Sequence, residues 1–145
     1  MACENAYPNE DAYCDYILIL LQGNDVPINQ PEGMKILRQE ADKGFSMAHY
    51  NLGLIYENGL YYQPKDPKKA LDYYKNAADA EIIPALVIVA KALFTGCFYN
   101  INCEYDPIQA AHLFEYAAAS NDPEGLFWWA TFLNNYCNSY SLDTN

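Results

Sequence analysis

The sequence predicts an all-α fold, a right-handed α/α superhelix (solenoid) of about three helix-turn-helix repeats followed by a single C-terminal helix. Three observations predict it. Stretches that share small and aromatic residues recur at offsets of 37 and 40 residues. Apolar residues within each stretch fall three and four apart, which is typical of amphipathic helices. Asp-Pro steps and single glycines stand where such helices would begin and end.

The repeat is clearest in the middle of the chain. Small residues recur at an offset of 37 in three pairs, namely Ala48 with Ala85, Gly53 with Ala90, and Gly59 with Gly96. The segment 66–78 recurs at 106–118, an offset of 40, and keeps its Asp-Pro step, an alanine, an aromatic residue and an Ala-Ala pair. The three additional residues lie in the loop 96–106. Each half of a repeat therefore reads as one helix of a hairpin.

Seven helices follow from this register, at about residues 10–23, 31–43, 46–58, 67–80, 82–95, 107–120 and 123–137. Asp66, Asp106 and Asp122 each precede a proline and are predicted N-caps, and Ser46 is predicted to cap the third helix. The predicted organisation is one domain over 1–145, divided as follows: repeat units at about 10–44, 46–81 and 82–121, an end helix at 123–137 and a tail at 138–145.

Composition and charge narrow the possible partners. The chain of 145 residues is 52% hydrophobic and carries 19 acidic against 8 basic residues, for a net charge of −11. No base precedes Lys35 and none follows Lys91, so both ends are acidic. Such a field repels phosphate backbones and anionic lipid, which argues against nucleic acid and membrane surfaces as partners. The sequence shows no basic n-region and no long apolar run, so a cytoplasmic location is expected.

The central residues resemble those of the Sel-1-like repeat, a relative of the tetratricopeptide repeat. The residues that carry the resemblance are Ala48, Leu52, Gly53, Tyr56, Gly59, Asp66, Lys69, Ala70, Tyr73, Tyr74, Ala77 and Ala78. The match is clear from about Met47 to Ala118 and weaker towards both ends, where Glu40 stands at an alanine position. The resemblance implies an α-superhelix that binds other proteins and scaffolds assemblies.

Tetratricopeptide geometry, carried across by alignment, implies that the first helix of each pair lines a concave protein-binding face. The predicted binding residues are Leu18, Tyr50, Leu54, Glu57, Asn58, Lys91, Phe94, Phe127, Thr131 and Asn134. Two alternatives stay open. The apolar members could be ordinary interhelix packing, because an error of one position rotates a helix by about 100°. The aromatic loops 59–63 and 96–101 could bind the partner instead.

An enzyme finds little support, and we predict no catalytic residue, no cofactor and no metal. Phosphate-binding loops, His-Glu-x-x-His and dinucleotide fingerprints are missing from the sequence. His49 falls where paired helices meet, so a packed histidine is preferred to a catalytic base. Cys97 and Cys103 with His112 form a weak zinc signal. Whether the two cysteines form a disulfide stays open.

These observations favour a non-enzymatic module that binds one specific protein. If that partner is basic, the acidic ends of the chain would attract it and raise the association rate. A small acidic repeat domain suits an intracellular inhibitor, such as a bacterial immunity protein that neutralises a basic toxin or effector domain. The alternatives are an adaptor or scaffold that bridges proteins, or an injected bacterial factor. A hydrolase that uses His49 is the least favoured.

Overall fold

The computed structural model describes residues 10–23 and 28–142, which form helices and one two-stranded antiparallel sheet. The elements in chain order are α1 Glu10–Gln22, α2 Gln30–Asp42, α3 Ser46–Asn58, α4 Pro67–Asp79, α5 Ile83–Thr95, β1 Cys97–Phe98, β2 Ile101–Asn102, α6 Pro107–Ala119 and α7 Pro123–Leu142. They fall into two compact units, residues 1–80 and 81–145. That the chain is a single domain therefore stays a prediction.

The helix ends follow the predicted caps. The carboxylate of Asp66 accepts a hydrogen bond from the backbone N–H of Lys69 at 3.0 Å. The carboxylate of Asp106 accepts from two N–H groups at 3.1 and 2.9 Å. Gly59 and Gly96 end α3 and α5 with φ of 67°, a left-handed conformation in which a side chain would be strained. The prediction for Ser46 is wrong, because α3 begins at Ser46 and its N-cap is Phe45, which makes no side-chain capping bond.

In the first unit α3 packs against α4, and α1 and α2 pack against each other and against α3. The helices α3 and α4 approach closely at Gly53, where an added Cβ would lie 2.5 Å from the ring of Tyr74. Tyr74 is completely buried, so the helices can approach this closely only because residue 53 has no side chain. Glu40 is buried as well, and its carboxylate lies 2.9 Å from Nζ of Lys43.

In the second unit α6 packs between α5 and α7. Ala90 and Phe114 are completely buried at the positions equivalent to Gly53 and Tyr74. The ring of Phe114 also stacks on Trp128 of α7, with centroids 6.0 Å apart and an interplanar angle of 12°. At Gly125 an added Cβ would lie 2.6 Å from Cβ of Ala117, so a small residue again permits the close approach.

The structure departs from the predicted elements in two places. The loop after α5 contains a two-residue hairpin, in which Cys97 pairs with Asn102 and Phe98 with Ile101. The last helix continues to Leu142, whereas the sequence predicted an end at 137 and a loose tail. Asp-Pro steps mark where helices begin, and glycines mark where some of them end. The C-terminus of α7 has neither signal, so its predicted end was wrong.

Candidate protein-binding surfaces

In the first unit the predicted binding residues of α3 share one incompletely buried side of that helix. Tyr50, Leu54 and Glu57 are half-buried and Asn58 is exposed. The hydroxyl of Tyr74 donates a short hydrogen bond to the carboxylate of Glu57, and the ring of Tyr50 lies 5.9 Å from that of Tyr74. The buried ring of Tyr74 thus holds both side chains in place, which reduces the entropy that a partner would have to remove on binding.

Two further contacts shape this first surface. The side-chain amide of Asn58 donates to the carbonyl oxygen of Leu54 at 2.9 Å, across the last turn of α3. Leu18 of α1 is half-buried between Ile17 and Leu21 along the chain, and these two neighbours are completely buried. Leu18 therefore keeps an accessible edge next to two core residues of α1. Its role in binding remains a prediction, as does that of the four residues of α3.

In the second unit Lys91 and Phe127 both contact Trp128. The Nζ of Lys91 lies 3.0 Å from a carboxylate oxygen of Glu124 and 5.2 Å from the Trp128 ring centroid. The ring of Phe127 meets that of Trp128 edge-on at 5.6 Å and is 63% exposed. Trp128 thus contacts both an exposed aromatic ring and a lysine, and these two side chains offer a partner an apolar contact and a charged group.

The remaining predicted residues of this unit differ in accessibility. Phe94 is half-buried, with its ring centroid 6.2 Å from Phe114 and 5.7 Å from Phe132, so it belongs partly to the core. Thr131 is half-buried and its hydroxyl donates to the carbonyl oxygen of Phe127 at 2.8 Å. Asn134 is exposed. Ordinary packing, the alternative considered from the sequence, thus describes part of the environment of Phe94.

The aromatic loops each expose one ring. Tyr62 is 94% exposed after α3, and Tyr99 is 57% exposed at the turn of the β1–β2 hairpin. Their neighbours Tyr61 and Phe98 are half-buried, and the rings of Phe98 and Tyr99 meet edge-on at 5.0 Å. Each loop therefore buries one ring in part and leaves the next largely exposed to water.

Sequence reasoning missed a polar cluster in the first unit. A guanidinium nitrogen of Arg38 donates to the hydroxyl of Tyr56 at 3.0 Å and to the side-chain oxygen of Gln63 at 2.9 Å. Nζ of Lys69 lies 4.3 Å from the Tyr56 ring centroid, and Tyr73 stacks on that ring at 5.8 Å. Burial opposes ionisation of Tyr56, but the hydrogen bond from Arg38 and the nearby positive charges of Arg38 and Lys69 outweigh it, so the pKa of this phenol is lowered.

This cluster had no signal in the repeat. The residues at the equivalent positions one repeat later are Leu93 and Leu113, so the alignment marks Tyr56 and Tyr73 only as large core side chains. Burial raises the pKa of Tyr73, and the nearby Tyr56 raises it further. The two stacked phenols consequently differ in acidity because only one of them accepts a hydrogen bond from Arg38.

His49 was considered from the sequence for catalysis, and Cys97 and Cys103 for metal binding. The half-buried ring of His49 lies 5.9 Å from that of Tyr73, as expected for a packed histidine. Cys97 and Cys103 are free thiols. Within residues 10–23 and 28–142 no three His, Cys, Asp or Glu side chains gather as a metal site requires. None of the helices described here combines the length and apolarity needed to cross a bilayer.

Comparison with known proteins identifies the repeat. The family model of the Sel1 repeat matches residues 46–81 and 92–122. These two segments are therefore similar to Sel1 repeats. No curated protein sequence matches the chain. Sel1 repeats generally mediate contacts between proteins and typically form non-enzymatic scaffolds.

Solved structures agree on the fold. A Sel1 repeat protein from Oxalobacter formigenes superposes with a TM-score of 0.73 at 24% identity, over 85% of this chain and 89% of that one. A protective antigen of uropathogenic Escherichia coli with an SLR fold gives a TM-score of 0.66 at 26% identity. That alignment covers 81% of this chain but 24% of the antigen. The predicted all-α solenoid fold is therefore confirmed.

Proposed function

We propose that this chain is a non-enzymatic module that binds one protein partner through the surface predicted from the sequence. The observation that carries the proposal is that two binding residues predicted on α3 are both accessible and held in place. Tyr50 and Glu57 remain accessible but are held by the buried Tyr74. A preorganised row of aromatic, aliphatic and polar side chains is what a protein–protein contact needs. The exposed Phe127, which contacts Trp128, supports the same role for the second unit.

The negative charge supports a basic partner. The chain carries a net charge of −11, and both of its ends lack bases. Long-range attraction of this kind raises the association rate more than it raises the final affinity. A cytoplasmic immunity or inhibitor protein that neutralises a basic toxin or effector domain fits this charge. For such a pair the association rate should fall as salt is raised while the dissociation rate changes little.

Site-specific photocrosslinking in the native host tests the proposal directly. A benzophenone amino acid replaces Asn58 in one variant and Asn134 in another, because both side chains are exposed at predicted binding positions. Matched controls carry it at Lys68 of α4 and Glu115 of α6, which are exposed but outside the predicted surface. We expect one protein to crosslink from Asn58 and Asn134 and not from the controls. Crosslinks of equal yield from all four positions, or from none, would contradict the proposal.

The same experiment separates the second candidate function. The two units each present accessible side chains of their own, Leu54 in the first and Phe127 in the second. An adaptor would use them for different proteins. It would therefore yield two distinct adducts, one from Asn58 and another from Asn134, whereas an inhibitor of one toxin would yield a single adduct.

A further inference from the structure

A groove opens on the second unit. Of the binding residues predicted from the sequence, only Phe94 lines it. It has a volume of about 280 Å³ and lies where the end of α5, the start of α6 and the C-terminal half of α7 meet. Phe94 and Phe132 are its less exposed rings, with centroids 5.7 Å apart, and Tyr136 stacks on Phe132 at 6.1 Å. Tyr105, just before α6, and Ile108, at the start of α6, also line the groove.

Three large hydrophobic side chains around the groove are mostly exposed to solvent. Ile108 is 72% exposed, Tyr105 65% and Tyr136 52%. Exposed large hydrophobic residues scattered singly need no explanation, but these three surround one concavity. They form an apolar contact surface that folding alone does not bury.

The size of the groove indicates what it can hold. Pockets for cofactors and drug-sized ligands usually enclose about 300–1,000 Å³, so this one is small for them. It suits a single large side chain, the way protein interfaces place an aromatic or aliphatic anchor in a pocket. Asn135 also lines the groove and is exposed, so its amide can hydrogen-bond to the backbone beside such an anchor.

The charge around the groove indicates what flanks the anchor. From Glu81 to the end of the sequence there are seven acidic residues and one base, Lys91, which is paired with Glu124. Glu104 is exposed and directly precedes Tyr105 of the groove. Asp106 follows Tyr105, and its carboxylate caps the start of α6. Acidic flanks on a bound segment would be repelled here, and basic flanks would be attracted.

We propose that this groove binds one large apolar side chain of a partner segment whose flanking residues are lysine or arginine. The inference rests on the proposed protein-binding function and names the chemistry of the partner at one site. It assigns Ile108, Tyr105 and Tyr136 as the residues that close around the anchor, with Phe94 and Phe132 beneath it.

Three synthetic peptides probe the groove on the full chain. The first has a central tryptophan with three lysines on each side, the second replaces the tryptophan with serine, and the third replaces the lysines with glutamates. Titration followed by ¹H–¹⁵N NMR should shift the amide signals of residues 105, 106, 108 and 132–139 with the first peptide. Its Kd should be lower by about tenfold or more than that of either other peptide, since one good anchor contact is worth that much. Equal binding of the tryptophan and serine peptides, or shifts outside these residues, would overturn the proposal.

A variant and its control locate the anchor site. Ile108→Gln should raise the Kd of the tryptophan peptide by about fivefold, and Ile108→Leu should restore most of the affinity. Ile28→Gln is the matched control, because Ile28 is 63% exposed and does not line the groove. It should leave the Kd unchanged. Because Ile108 is 72% exposed, its replacement should not unfold the chain, which circular dichroism verifies. An unchanged Kd for Ile108→Gln would overturn the proposal.

The two proposals fail in different ways. Asn58 and Asn134, the crosslinking positions, do not line the groove. A partner that crosslinks there while the tryptophan peptide does not bind would refute the groove and leave the module standing. Peptide binding that depends on Ile108, without any crosslink in the host, would refute the proposed surface and retain the groove.

Discussion

The α3/α4 pair of the first unit and the α5/α6 pair of the second unit are the same hairpin with different contents. Each pair has a small residue in its first helix and a completely buried aromatic ring in its second. These residues are Gly53 and Tyr74 in the first pair, and Ala90 and Phe114 at the equivalent positions of the second. Around that centre the first pair uses phenols joined to charged side chains, whereas the second uses leucine and phenylalanine. The repeat thus constrains the size of the side chains at the helix interface, whereas their polarity differs between the two pairs.

The helix α7 extends this comparison. Leu133 of α7 occupies the register of Leu93 in α5, at an offset of 40. Leu93 is 6% exposed, but Leu133 is 42% exposed. Among the described residues α7 packs mainly on α6, so the face that carries Leu133 has less to contact than the same face of α5. The same sequence signal therefore marks core in one helix and accessible surface in the other.

The largest expected effect separates these two leucines. Leu93→Ala should lower the free energy of unfolding by about 2–5 kcal/mol, because it leaves a cavity in the core. Leu133→Ala should cost less than about 1 kcal/mol, since much of that side chain is already in water. Urea unfolding followed by circular dichroism measures both. Similar losses from the two variants would show that the exposed face of α7 is covered in solution.

The next effect tests the small residue at the centre of each pair. Gly53→Ala should destabilise the chain by about 1 kcal/mol, because overpacking outweighs the gain in helix propensity. The new methyl group would meet the ring of Tyr74, which is completely buried. Ala90→Gly should cost a similar amount, about 1 kcal/mol, for the opposite reason of lost propensity. A Gly53→Ala variant that is more stable than the wild type would show that Tyr74 can move aside.

Most of the fold could be predicted because its signals are local. Asp66-Pro67 and Asp106-Pro107 start helices by satisfying free backbone N–H groups, and Gly59 and Gly96 end them in the left-handed conformation. The hairpin at Cys97–Asn102 could not be predicted in this way, since two-residue strands carry no alternating pattern.

The candidate site was harder to predict than the fold. Tetratricopeptide geometry, carried across by alignment, predicted Tyr50, Leu54, Glu57 and Asn58 as binding residues of α3, and none of these four is fully buried. Their role in binding stays a prediction. The groove around Ile108 depends on how α5, α6 and α7 meet, and the contact of Arg38 with Tyr56 spans different helices. Neither follows from spacing along the chain.

A smaller difference is expected between the two N-caps. Asp106 accepts two backbone hydrogen bonds at the start of α6, and Asp66 accepts one at the start of α4. Replacing either with alanine should cost about 1 kcal/mol, with the greater loss at Asp106. Asp→Asn variants at the same positions keep an acceptor and should retain most of the stability. Urea midpoints compare the four variants, and a larger loss at Asp66 would contradict the expectation.

The smallest effect is a pH dependence that comes from Tyr56 and Tyr73 of the first pair, whose equivalents in the second pair are leucines. The pKa of Tyr56 is lowered, so its ionised form favours the folded state, and this contribution is present above the unfolded pKa and disappears as pH falls through the folded one. The pKa of Tyr73 is raised by burial, by Tyr56 and by Asp42, so its contribution is present at lower pH and lost as pH rises.

Urea unfolding between pH 8 and pH 10.5 should reveal these opposite signs. Relative to Tyr56→Phe, the wild type should gain stability as the pH rises towards the pKa of an unfolded tyrosine. Relative to Tyr73→Phe, it should lose stability over the same range. Arg38 supplies the hydrogen bond that distinguishes the two phenols, so Arg38→Gln should reduce the Tyr56 effect. Parallel pH profiles for all variants would mean that Arg38 and Lys69 do not act on Tyr56 in solution.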